Sequence, residues 1–193
     1  MGPDRGVFEE SCRVRLARAA VPVVERRRRD IVESVPMSKL ARENVQSYPR
    51  PPAIDVVRQR LVVRLGGQII ADTTRGLRIL ETHHAPTYYL PLEDINGGLT
   101  PVQGQSFCEW KGVARYFDVR GGNATAPRAA WSYNAPSPQF KVIAGYIAFY
   151  AGLMEACFVG GEIVLPQPGD FYGGWVTSNL DGIPKGARGT ENW

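Results

Sequence analysis

The chain is poor in the side chains that most often carry chemistry. Its 193 residues hold three cysteines, two histidines and four lysines. Cys12, Cys108 and Cys157 are odd in number, far apart and without a CxxC pair. That spacing excludes a disulfide framework or a cysteine zinc site as the expected scaffold, and a reducing cytoplasm is the expected setting. No apolar run approaches the roughly 18 residues needed to cross a bilayer, so no transmembrane helix and no membrane partner are expected. The first residues (MGPDRGVFEESCRVRLARAA) hold no continuous apolar region before a small-residue cleavage site, so no secretory signal is expected. The formal net charge of +4, from 23 basic and 19 acidic residues, is mild and spread along the chain. A dedicated nucleic-acid binder is therefore not implied. There is no GxxxxGK[ST] phosphate loop, no GxGxxG after a strand and no Asp-x-Asp pair.

What is present is an ordinary globular composition, with 44% apolar and 22% charged residues. The length suits one domain with extensions. Residues 1–36 are arginine-rich and interrupted by Pro22 and Pro36. They read as an accessory arm, with a short helix over residues 9–20 and a charged run, Arg26 to Arg29. A solvated arm explains that run more simply than a phosphate or RNA contact does.

From Ser47 the pattern changes to β-structure. Residues 60–65 and 68–72 flank Gly66-Gly67, a hairpin signature in which both turn residues can take positive φ. Residues 77–82 read as a strand ending at the histidines. Residues 112–120 alternate apolar and polar, and residues 128–133 and 146–150 read as further strands. Residues 156–159 and 162–165 around Gly160-Gly161 repeat the hairpin signature, whereas residues 136–143 fit a helical turn or a strand equally. The expected class is mainly β, a single compact antiparallel sandwich or open barrel over residues 37–165. Residues 166–193 form a glycine-rich tail containing Phe171, Tyr172 and Trp175. Its rings would be poorly placed in water, so it is expected to pack on the domain or on a partner subunit, which makes a homo-oligomer one expectation.

Five ordered motifs carry a resemblance. They are Tyr48-Pro49-Arg50-Pro51-Pro52, then Glu81-Thr82-His83 with Pro86-Thr87-Tyr88-Tyr89, then Cys108-x-Trp110-Lys111-Gly112-x-Ala114-x-Tyr116. Ala129-Ala130-Trp131-Ser132-Tyr133 and Gly145-Tyr146-Ile147-Ala148-Phe149-Tyr150 complete the set. In this order the chain resembles the bacterial "domain of unknown function 427" family over about residues 45–165. The resemblance implies a compact all-β domain akin to the β-tent folds, and it carries a nucleotidyltransferase label. The residues give that label little support. Nucleotidyl transfer usually needs two divalent metals on closely spaced carboxylates, and the adjacent Glu93-Asp94 would point to opposite faces of a strand.

The reactive side chains gather in residues 81–116. His83 is the candidate general acid/base, a hydrogen-bonded structural histidine being its other reading, with Glu81 two residues earlier on the same face if the strand stays extended. Lys111 and Arg115, an even number of residues apart, are expected to share a face and form an anion pocket. Lys111 stands out because the chain otherwise uses arginine almost five to one. Tyr88, Tyr89, Trp110, Trp131 and Tyr133 are expected as aromatic walls. Cys108 is expected as a buried wall residue in place of a nucleophile, and no metal-ligand set is recognisable. The function expected is binding of a small anionic or aromatic ligand, nucleotide-like or another metabolite, with or without catalysis. The alternatives are a module that self-associates through its tail, and the nucleotidyltransferase of the label. The sequence names neither a cofactor nor a reaction.

Overall fold

A computed structural model describes residues 40–169 and 171–190. The expected helix over residues 9–20 and the arginine run lie outside the described residues. The described chain is mainly β, with fifteen strands, four short 3-10 turns and no α-helix among those residues. No helix there is long and apolar enough to cross a membrane.

The strands in chain order are β1 (Glu43–Asn44), β2 (Ala53–Val56), β3 (Leu61–Leu65), β4 (Gln68–Thr73) and β5 (Leu77–Leu80). Next come β6 (Thr87–Pro91), β7 (Gly98–Cys108), β8 (Gly112–Gly121), β9 (Ala124–Ser132) and β10 (Tyr146–Phe149). The last five are β11 (Ala156–Val159), β12 (Glu162–Ile163), β13 (Leu165–Pro166), β14 (Trp175–Val176) and β15 (Leu180–Asp181). A seven-stranded sheet has the order β2-β5-β6-β10-β9-β8-β7, and a four-stranded sheet has the order β12-β11-β3-β4. Both are antiparallel, and neither closes into a barrel. The expected hairpins at Gly66-Gly67 and Gly160-Gly161 are β3–β4 and β11–β12, with all four glycines at positive φ. The segment that fitted helix or strand equally is a 3-10 turn, Pro138–Ile143, which buries Phe140 and Ile143.

Two strands were hidden in the sequence. The region between the two histidines and Lys111 reads as a long loop, yet it holds β6 and the eleven-residue β7. Pro101 and Gly104 look like breakers there. β7 is tolerant of both because it is the edge of the seven-stranded sheet and bulges between Pro101 and Gln105.

The alternation of side chains on the seven-stranded sheet divides the core in two. One face packs on the four-stranded sheet: Tyr88, Leu90, Val119, Ala130, Ile147 and Phe149 meet Leu61, Val63, Ile70, Cys157 and Val159. The other face carries Tyr89, Ala114, Tyr116, Trp131, Tyr133 and Ala148, roofed in part by Phe140 and Ile143. Burial of these side chains is the main stabilising term, and the ladders satisfy the backbone that goes in with them. Trp175 of the tail, with no exposed surface, belongs to the first core. It stacks on Tyr88 at 5.1 Å between ring centroids and donates its indole N–H to the Phe149 carbonyl at 2.9 Å.

Candidate functional site

The second face of the large sheet becomes a cavity because large and small residues alternate across it. Leu77 lies opposite Tyr89, Ala148 opposite Trp131, and Trp131 opposite Tyr116. Ala148 contributes only a methyl to this row, and Ala114, opposite Ser106, does the same on the neighbouring pair. Rings therefore stand around small residues, and the space between them, about 430 Å³, is lined by Tyr89, Trp131, Tyr133 and Tyr150 among others.

Three loops raise the walls. The first is the β7–β8 turn, Glu109-Trp110-Lys111. Gly112 at φ +94 closes it, and Ser137 fixes it, donating its hydroxyl to the Trp110 carbonyl at 2.6 Å and its backbone N–H to the Lys111 carbonyl at 3.3 Å. Lys111 Nζ then sits 6.0 Å from the centroids of both Tyr133 and Phe140.

The second wall is the turn after β5. His84 donates its backbone N–H to the Glu81 carbonyl at 2.9 Å, and His83 takes φ +64. Arg50 bridges this wall to the first, with Glu109 at 2.8 Å and Glu81 at 3.5 Å.

The third wall is the tail, Phe171 to Gly174, with Lys185. A Cβ on Gly173 would stand 2.0 Å from the Trp131 ring, so only glycine lets the chain lie this close. Buried Gln167 joins the second and third walls. Its carbonyl oxygen accepts from the Ala85 N–H at 3.0 Å and its amide donates to the Lys185 carbonyl at 2.9 Å. Lys185 in turn donates its backbone N–H to the His83 carbonyl at 2.6 Å.

The polar inventory of the cavity is unusual for a protein interior. The Tyr89 hydroxyl and the Trp110 indole N–H are buried and have no hydrogen-bond partner. The Trp131 indole is near enough to Tyr89 to favour its ionised form slightly, but no bond of acceptable geometry joins them. A buried donor without a partner costs about 1–3 kcal/mol. Burial raises the Tyr89 and Tyr133 phenols well above their ordinary value, so both are neutral donors at any physiological pH. Among the described residues, no group of three or more His, Cys, Asp or Glu is placed to hold a metal ion.

His84 is held below its ordinary pKa. Burial is the largest cause; Glu81 and the Thr82 carbonyl oppose it, while Lys185 and Lys111 reinforce it. The unfolded chain takes up the proton first as pH falls through about 6.5, so the folded state loses stability from there down to the lower folded pKa. The acid limb of a urea-midpoint-against-pH curve should therefore start near pH 6.5 in the wild type and flatten in His84→Gln. An unchanged limb would contradict this assignment.

The structure brings together Glu81, Tyr89, Trp110, Lys111, Trp131 and Tyr133 of the residues singled out in the sequence, with Cys108 in the wall beside them. It does not bring in His83, Arg115 or Tyr88. The histidine segment is a turn and not an extended strand, so Glu81 faces the cavity together with His84, three residues on, and His83 lies outside its lining. The turn before β8 likewise breaks the two-residue period between Lys111 and Arg115. Arg115 is exposed on the strand while its neighbours Ala114 and Tyr116 point inward. Tyr88 alternates with Tyr89 and goes to the core between the sheets. Sequence reasoning missed His84, Arg50, Tyr172 and Lys185. Lysine scarcity, which singled out Lys111, was a signal for Lys185 as well.

The sequence model described as "Domain of unknown function (DUF427)", labelled NTP_transf_9, matches residues 53–160. The chain belongs to this family. No curated protein matches the chain. The matched span contains the sheet floor and the first two walls, apart from Arg50. Gln167, the segment from Phe171 to Gly174 and Lys185 lie beyond it.

Proposed function

We propose that this DUF427 domain binds a small planar anion, nucleotide-like or another phosphorylated or carboxylated metabolite, in the aromatic cavity. The observation that carries the proposal is the convergence of Lys111 and Lys185, from two walls, on a cavity lined by aromatic rings, with two buried, unpartnered donors, Tyr89 Oη and Trp110 Nε1, on its lining residues. Such donors are tolerated where a ligand acceptor completes them, and two ammonium groups favour an acceptor that carries charge. Rings on the floor and sides suit a planar body. Glu81 and Arg50 add one acceptor and one further fork of donors at the mouth.

The test is a thermal-shift screen of nucleotides and small carboxylates against the full chain, followed by titration of any hit. A ligand at a hundredfold excess over its Kd stabilises by about 2.7 kcal/mol. Lys111→Ala should weaken the hit at least tenfold, and Arg115→Ala should leave it unchanged. Equal losses in both variants, or no hit at all, would count against the cavity as the site.

Tyr89→Phe gives a second signature, with effects of opposite sign. Removing an unpaired buried hydroxyl should raise the stability of the free protein by about 1 kcal/mol while weakening the ligand. A Tyr89→Phe protein less stable than the wild type would show that the hydroxyl is satisfied in the free state.

A further inference from the structure

The orientation of His84 says more about the site than its charge does. Its Nδ1 lies 3.0 Å from the Thr82 carbonyl oxygen, an atom that can only accept. The neutral ring must therefore carry its proton on Nδ1, which leaves the lone pair on Nε2. Two further contacts restrain the ring: Tyr172 meets it edge-on at 4.9 Å between centroids, and the backbone N–H of His84 is tied to the Glu81 carbonyl. The same residue lines the cavity.

The charged groups around His84 come from all three walls. Glu81 belongs to its own turn, Lys111 to the β7–β8 turn and Lys185 to the tail. Lys185 also lies 5.8 Å from the Tyr172 ring centroid, so the ring beside His84 and the nearest tail cation form one unit. Burial is the main reason imidazolium is disfavoured before a ligand arrives, and the two lysines add to it against the opposing Glu81. An anionic ligand that neutralises the lysines would remove their part and raise the proton affinity of Nε2.

We propose that His84 is the proton acceptor of this cavity, a neutral Nδ1–H imidazole whose bare Nε2 takes a proton from an N–H or O–H group of the bound anion. The proposal rests on the binding reading above and adds a second requirement to the ligand: a weakly acidic N–H or O–H group within reach of Nε2. In the step, the ligand N–H or O–H bond breaks and its electron pair stays on the ligand. The proton forms the Nε2–H bond, Lys111 and Lys185 face the charge gained by the ligand, and Glu81 faces the imidazolium. A proton acceptor must be unprotonated before the step, and burial keeps the His84 imidazole so at pH 7. His83, with its different backbone conformation and its place outside the lining, has no part in it.

The chain has only two histidines, which makes the test direct. Nitrogen-15 correlation spectra of the full-length protein, assigned with His83→Asn, report the tautomer and titration of His84 without altering it. The expected result is the Nδ1–H tautomer with a midpoint below 6.5, moved upward in Lys185→Gln. An Nε2–H tautomer, a midpoint above 6.5, or one indifferent to Lys185→Gln would overturn the proposal. Carbethoxylation by diethyl pyrocarbonate, read by mass spectrometry, adds a check on access, because it requires an exposed lone pair. His84 should react at pH 7 with a rate that follows the same midpoint, and a His84 that stays unmodified while His83 reacts would overturn the proposal. Repeating the reaction with AMP present separates the two ideas. Protection supports both, whereas a reactive His84 left unprotected supports the acceptor and tells against nucleotide binding.

Discussion

Trp175→Ala is expected to destabilise the protein by about 3–5 kcal/mol, the range for truncating a large buried ring. Trp175 has no exposed surface, stacks on Tyr88 and donates to the Phe149 carbonyl, and its own backbone N–H donates to the Pro86 carbonyl at 2.9 Å. The change would open a void in the core between the two sheets and leave the Phe149 carbonyl without the indole N–H. It would also loosen the tail where it passes the cavity, since Trp175 is the anchor immediately after Gly173 and Gly174. Urea denaturation followed by far-UV dichroism measures the loss, and Trp175→Phe should recover more than half of it. A loss below about 1 kcal/mol would mean that the tail is an appendage and that the third wall of the cavity is not fixed.

Gly66→Ala is the second large effect. A Cβ there would stand 2.0 Å from the Gly121 carbonyl oxygen, and Gly66 is at φ +60. The approach is reciprocal: a Cβ on Gly122 would meet the Gly66 carbonyl oxygen at 2.4 Å, and one on Gly121 the Leu65 carbonyl oxygen at 2.6 Å. Two hairpin turns from different sheets thus touch backbone to backbone, and neither obstacle is a side chain that could swing away. Overpacking costs about 1–3 kcal/mol and the left-handed backbone about 1 kcal/mol more, so a loss of about 2–4 kcal/mol is expected. Gly145→Ala is the control, because Gly145 is at φ +78 with nothing within 4 Å of its Cβ position. It should show the backbone part alone, and equal losses at the two positions would remove the close-contact argument.

These positions mark how far local sequence signals reach. Gly66-Gly67 is recognisable as a turn because turn chemistry is local, and the alternation in residues 112–120 marks a strand because the two-residue period is local too. The same period carries the face assignments, and it failed wherever the backbone turned. The histidines are at a turn and Lys111 sits in another, so counting in twos put His83 and Arg115 together with Lys111, where the cavity lining instead holds His84 and Lys185. β7 was hidden for a related reason. Its Pro101 and Gly104 would weaken a central strand and are harmless at an edge, and whether a strand is an edge depends on its partners.

By itself the sequence determined the β class, the two glycine hairpins, the family and the region that supplies much of the cavity lining. All of these follow from composition, short-range period and residue identity. Only the tertiary structure decided which ring of each adjacent pair faces the cavity and that Trp175 completes a core. It also decided that Lys185, seventy-four residues beyond Lys111 in the chain, shares a cavity with it. Those outcomes depend on contacts between segments far apart in sequence, where packing and not local preference selects the arrangement.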